Sequence, residues 1–140
     1  YLQRQTNRIP TGRFTHVKKT IHDFLNFENI GKKLNYFKTK NLNIKFKGFD
    51  TTFVVKRNNR NYVGTLKNNN TNIQVDFFSN LPGVQLYSAQ NLNYKKKLFP
   101  YQGVCLETQY FPDAPNKKNF PSTLIKPNKR YTCFTKIKIN

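Results

Sequence analysis

The chain has 140 residues, room for one ordinary domain, and 36 % of them are hydrophobic and 15 % aromatic, which supplies a core and excludes wholesale disorder. No apolar run approaches bilayer length and the opening Tyr1-Leu2-Gln3-Arg4-Gln5 is too polar for a secretory leader, so neither a membrane partner nor a secreted product is expected. The formal charge of +19 permits attraction to polyanions, but the basic residues are scattered and Lys, Asn, Ile, Phe and Tyr are abundant together, so A- and T-rich codons explain the charge and no specific nucleic-acid partner is expected.

In chain order the pattern is that of a β protein. Pro10-Thr11-Gly12 reads as a turn, and one helical turn is expected around Phe27 to Leu34. Lys47-Gly48 marks a turn before a strand at Phe53-Val54-Val55, and Asn58-Asn59 another before a strand at Tyr62 to Leu66. After Asn68-Asn69-Asn70, the residues Ile73, Val75 and Phe77 alternate with Gln74, Asp76 and Phe78. Pro82-Gly83 precedes a strand in which Val84 and Leu86 alternate with Gln85 and Tyr87, placing Gln85 and Tyr87 on one face. In Gly103 to Gln109, alternation puts Cys105, Glu107 and Gln109 on one face and Val104, Leu106 and Thr108 on the other. The segment from Tyr131 to Ile139 is expected to be a strand burying Tyr131, Cys133, Thr135, Ile137 and Ile139, with Lys136 and Lys138 solvated. Short strands about ten residues apart suit an all-β, antiparallel sandwich.

Only six acidic residues occur: Asp23, Glu28, Asp50, Asp76, Glu107 and Asp113. Glu107 stands out because it lies within an apolar strand. Partial burial there would raise its pKa toward a general base's range. On composition alone, a surface glutamate beside one of many lysines is the simpler account. The two cysteines, Cys105 and Cys133, lack metal or redox spacing and are expected as buried reduced thiols in strands, with an inter-strand disulfide left open. Reduced thiols suit a cytoplasmic location.

Three stretches add a resemblance. Gly103-Val104-Cys105-Leu106-Glu107-Thr108-Gln109-Tyr110-Phe111-Pro112-Asp113-Ala114-Pro115-Asn116, followed by Asn119-Phe120-Pro121-Ser122, is similar to a long signature of aldose 1-epimerases. Pro82-Gly83-Val84-Gln85-Leu86-Tyr87 resembles that family's P-G-x-Q-x-Y strand, and Gly48-Phe49-Asp50-Thr51-Thr52-Phe53-Val54 its G-Y-D-H-N-F-V segment. Ile9-Pro10-Thr11-Gly12 and Thr20-Ile21-His22-Asp23-Phe24 match two shorter stretches, all five in the family's order. The resemblance implies the C-terminal portion of an antiparallel β-supersandwich, residues 1–140 forming part of a single epimerase domain. It implies interconversion of the α and β anomers of free hexoses such as galactose and glucose, with no cofactor. By the same resemblance Glu107 is the catalytic base, and Asp50 and Gln85 bind sugar hydroxyls. The free-sugar form of Cys105-Leu106-Glu107-Thr108-Gln109 argues against a sugar-phosphate substrate.

The departures are specific. The family's catalytic acid and second site histidine lie before the I-P-T-G turn, and the only histidines here, His16 and His22, read as ordinary loop or edge residues. Thr51 and Thr52 stand where the family has His and Asn, Gln90 and Asn91 where it has Asn and an aromatic or apolar residue, and His22 where it has Phe. The chain contains no Met, so Tyr1 is no initiator and a processed or partial product with a missing N-terminal segment is expected. These residues alone are expected to be nearly inactive, which leaves a non-catalytic sugar-binding role as the alternative.

Overall fold

The computed structural model describes residues 1–39, 48–56, 59–95 and 97–140. The expected turn residues Lys47 and Asn58 lie outside them. The chain forms two compact units, Tyr1–Phe53 with Gln85–Glu107, and Val54–Val84 with Thr108–Asn140.

The first unit opens with a hairpin of β1 (Leu2–Arg4) and β2 (Pro10–Phe14), paired antiparallel. Pro10-Thr11-Gly12, read above as a turn, is strand. The reversal lies just before it, where the Arg8 backbone N–H bonds to the Gln5 carbonyl and the Gln5 N–H to that of Ile9. Proline is tolerated because it starts an edge strand, and Gly12 takes a φ of 93° that a side chain would disfavour, within a pair whose register slips between Leu2 and Arg4.

The helix α1 (Ile30–Thr39) starts later than expected and runs longer. Asn29 caps it: its Oδ1 accepts the Lys32 N–H at 2.9 Å, filling one of the orphan donors of the first turn. Ile30, Leu34 and Phe37 lie on one stripe and pack into the unit's core with Phe49 and Leu86. Ile21, Phe24, Phe53, Tyr101 and Leu106 complete that core.

A three-stranded sheet of order β3-β6-β7 carries the core: β3 (Asp50–Val54), β6 (Gly83–Tyr87) and β7 (Cys105–Gln109). The Ser88 N–H bonds to the Phe49 carbonyl at one end of the β3–β6 pair and the Val55 N–H to the Pro82 carbonyl at the other. Those two bonds fit an antiparallel pairing that sets Thr52 opposite Gln85.

The second unit holds a sheet of order β4-β5-β8, all antiparallel: β4 (Tyr62–Lys67), β5 (Gln74–Ser79) and β8 (Thr135–Ile139). Val75 pairs with Ile139 and Phe77 with Ile137. The last strand is shorter than expected and none of it is buried; Ile137 is 57 % and Ile139 72 % exposed. Its edge position is the reason, since among the described residues nothing covers its apolar flank. Elsewhere in this unit Phe111 and Phe120 bury against each other at 5.1 Å around a 3-10 turn at Ala114–Asn116. Asp113, at φ 61°, turns the chain there, accepting from Asn116 at 2.5 Å and pairing with Lys117 at 2.9 Å.

Candidate functional site

The sheet β3-β6-β7 has two chemically distinct faces. Phe49, Phe53, Leu86 and Leu106 enter the apolar core. Strand alternation therefore sends Asp50 and Thr52, Gln85 and Tyr87, and Cys105 and Glu107 to the other side. The structure brings two of the expected site residues into direct contact: Gln85 Nε2 donates to Asp50 Oδ1 at 2.6 Å. It also fixes the amide's orientation, because Thr52 Oγ1 donates to Gln85 Oε1 at 2.5 Å. Thr52, noted in the sequence only as a departure, is 2 % exposed and acts as the anchor of this network.

Glu107 shares the polar face but makes no hydrogen bond or ion pair among the described residues. Its side chain is exposed, on the strand that ends the sheet order. Its carboxylate is thus open to a ligand. Gly103 approaches Ala89, and Gly83 approaches the Gln109 carbonyl, at the two ends of the β6–β7 stretch. β6 and β7 are neighbours in the sheet, so Glu107 and Gln85 lie on adjacent strands.

Two residues escaped the sequence reading. Arg8 Nη1 donates to Asp50 Oδ2 at 3.0 Å, and Arg4 Nη1 lies 3.9 Å from the same oxygen. No local signal marks them, since they reach Asp50 across the hairpin turn from positions 4 and 8. Burial lowers the Arg4 pKa, Asp50 opposes that, and Arg8 adds to it.

Neither histidine joins the polar face. His16 is exposed in a loop. His22 sits in the aromatic cluster, its ring 4.2 Å from Tyr1, 5.9 Å from Phe49 and 6.0 Å from Phe53. Burial, helped by the charges of Arg4, the N-terminus and Lys33, pushes its pKa down to about 4, so it is neutral at pH 7. Its buried Nδ1 has no partner among the described residues.

The remaining departures are structural. Thr51 is 2 % exposed. Gln90 is buried and its Oε1 accepts from Ser88 Oγ at 2.8 Å, while Ser88 Oγ accepts the Phe49 N–H at 2.8 Å. The cysteines are free and exposed, not buried: Cys105 alternates to the side of Glu107, and Cys133 lies in the irregular segment before β8. Among the described residues no three His, Cys, Asp or Glu side chains converge to hold a metal ion, and no helix is long and apolar enough to cross a membrane.

Residues 1–138 match the family model of aldose 1-epimerases. The chain is 31 % identical over 138 residues to the galactose mutarotase of Homo sapiens, covering 94 % of this chain and 38 % of that protein. It is 30 % identical over 130 residues to the galactose mutarotase of Sus scrofa, covering 88 % and 36 %. A solved GalM/aldose epimerase homologue from C. elegans superposes with a TM-score of 0.79 at 20 % identity, over 97 % of this chain and 41 % of that one. The all-β architecture with one short helix thus matches a GalM-like β-sandwich fold, and the chain spans about two fifths of the length of these relatives.

Proposed function

The chain belongs to the aldose 1-epimerase family, and we propose that its polar sheet face is the sugar-binding and basic half of a mutarotase site acting on free hexoses such as galactose and glucose. The supporting observation is the joining of Asp50, Gln85 and Thr52 in one hydrogen-bonded row on the face that also carries an open glutamate, Glu107. In this reading residues 1–140 are the C-terminal part of one epimerase domain. The free thiols suit a reducing cytoplasm.

The chemistry follows from the groups. Glu107 takes the proton of the anomeric hydroxyl as an acid delivers one to the ring oxygen. The C1–O5 bond breaks with its electron pair going to O5, and the aldehyde forms. Rotation beside the carbonyl and reclosure, with both protons returned, give the other anomer. Acid and base assistance is needed because neither sugar oxygen exchanges protons fast enough alone at neutral pH. Asp50 and Gln85 hold the hydroxyls of the ring, the carboxylate as acceptor and the amide as both donor and acceptor. In the resembled family the acid is a histidine N-terminal to the stretch matched by Ile9-Pro10-Thr11-Gly12, and in this reading such a residue supplies it, since His22 sits in the aromatic cluster and His16 in a loop.

Polarimetry of fresh α-glucose or α-galactose tests this. The chain alone is expected to leave the rate at background. Adding the N-terminal three fifths of a mutarotase is expected to raise it, and Glu107→Gln to remove the gain. A strong rate from the chain alone, abolished by Glu107→Gln, would overturn the missing acid; no rate with the complement present would overturn the enzymatic reading. The placement of both histidines favours one alternative, a sugar-binding protein without catalysis, which predicts calorimetric sugar binding with no rate in either mixture.

A further inference from the structure

The connection from β6 to β7 ends in a small hairpin on a pinned base. The Ala89 carbonyl accepts both the Leu92 N–H at 3.1 Å and the Tyr101 N–H at 3.0 Å, and Gln102 Oε1 accepts the Phe99 N–H at 2.9 Å. Beyond that base Tyr94 and Leu98 form an antiparallel bridge, each N–H reaching the other's carbonyl at 3.2 Å. The Lys97 N–H also closes on the Tyr94 carbonyl, at 2.8 Å. Between the bridged residues the sequence is Lys95-Lys96-Lys97, the longest basic run in the chain.

The same hairpin shows apolar surface to solvent. Tyr94 is 53 %, Leu98 43 % and Phe99 52 % exposed. Lys95 and Lys97 are exposed as well, and among the described residues no carboxylate pairs with either. Lys95 Nζ lies 5.3 Å from the centre of the Tyr94 ring. The sequence has no acidic residue between Asp76 and Glu107, so nothing in the connection itself offsets the charge.

Codon bias accounts for scattered lysines but not for this one. Lys95 sits at φ 45°, in the left-handed region, where asparagine is tolerated better than lysine. Asparagine codons are equally rich in A and T, so bias alone would serve that position with less strain.

The partner must accept clustered positive charge and apolar side chains at one point of contact. An anionic bilayer surface does both. Its headgroups attract lysines, each strengthening binding by about fivefold, and its interface takes up tyrosine, leucine and phenylalanine. Single-stranded nucleic acid is held along a basic groove that tracks several nucleotides, and a hairpin tip offers no such track.

We propose that the hairpin from Tyr94 to Phe99 docks the protein peripherally on an anionic lipid surface, with its lysines among the headgroups and Tyr94, Leu98 and Phe99 against the acyl boundary. No membrane partner is expected from the sequence because no segment could span a bilayer; a peripheral contact needs none. The proposal is independent of the sugar site, since Asp50, Gln85 and Glu107 take no part in it.

The chain contains no Trp, so Phe99→Trp introduces a single fluorescent reporter. With phosphatidylcholine vesicles containing phosphatidylserine, its emission is expected to shift to the blue and to be quenched by brominated acyl chains. Vesicles of phosphatidylcholine alone are expected to do neither. In vesicle co-sedimentation, Lys95→Gln with Lys97→Gln is expected to weaken binding about 25-fold, or about fivefold per lysine. Leu98→Ser is expected to weaken it several-fold, and added salt to weaken it further. Lys126→Gln with Lys129→Gln removes the same charge from another exposed segment and is expected to change binding by about twofold at most. Urea midpoints show that the variants are folded; should the double variant not fold, Lys97→Gln alone is expected to cost about fivefold. An unshifted reporter, or equal losses from the two lysine pairs, would overturn the proposal in favour of diffuse attraction by net charge. Binding of a single-stranded oligonucleotide that is lost with Lys95 and Lys97, without vesicle binding, would overturn it in favour of nucleic acid.

Discussion

The amide of Gln85 donates to Asp50 at 2.6 Å, and its oxygen is held in turn by Thr52 at 2.5 Å, so the orientation of the central polar group of the site is set from β3 on both sides. Removing the Thr52 hydroxyl should release that orientation. Thr52→Val keeps the shape but leaves the Gln85 oxygen unpaired, and is expected to cost about 1–2 kcal/mol of stability in urea unfolding. It should also weaken hexose binding; unchanged binding would show that the ordering of Gln85 does not matter to the ligand.

Glu107→Gln should leave stability within about 0.5 kcal/mol of the parent, because the side chain is exposed and unpartnered among the described residues. In a complemented enzyme the same change should lower the mutarotation rate by roughly 10²- to 10⁴-fold. Rate and unfolding midpoint measured on one preparation separate a chemical role from a structural one.

His22 makes the fold acid-sensitive. Its folded-state pKa, about 4, lies below its ordinary value of 6.5, so the unfolded chain binds the proton more tightly. The penalty is absent above pH 6.5, grows as the pH falls and is complete below 4. Allowing for partial solvent screening, it amounts to roughly 2 kcal/mol. His22→Phe is expected to flatten the urea midpoint across that window, apart from the slope contributed by carboxylates. An unchanged slope would mean that the buried ring is not the source.

Gly48→Ala should be costly. A methyl group there would meet Ser88 Oγ at 2.5 Å and Gln90 Oε1 at 2.8 Å. Ser88 is tied to the Phe49 backbone and to Gln90, so neither neighbour moves without breaking a buried bond. A loss of about 1–3 kcal/mol is expected, with Gly48→Ala in a Ser88→Gly background recovering part of it.

Much of the architecture was legible in the sequence because period-two alternation survives wherever one face of a strand is buried. Val84, Leu86 and Leu106 were placed on the buried face of their strands for that reason. The reading failed where alternation carries no burial. Tyr131 to Ile139 alternates as a half-buried strand does, yet β8 lies at a sheet edge with both faces in solvent. Pro10-Thr11-Gly12 has turn residues but forms strand, because an edge position forgives proline and a shifted register uses glycine. Of the candidate site residues, Asp50, Gln85 and Glu107 were singled out through the family resemblance. Arg4 and Arg8 were not, since their meeting at Asp50 depends on how a five-residue reversal folds back. Part of the long signature around Asp113 serves packing, through the turn that brings Phe111 onto Phe120.

The order of strands in the β4-β5-β8 sheet also bears on how the chain is made. On the ribosome, β5 can zip to β4 at once, since the two are neighbours in sequence. Its opposite edge must then wait, unpaired, through the synthesis of β6, β7 and the loops beyond before β8 emerges. A waiting edge is an invitation to another nascent chain, so slow translation of this stretch should favour aggregates, and chaperone supply or a lower growth temperature should raise the soluble yield.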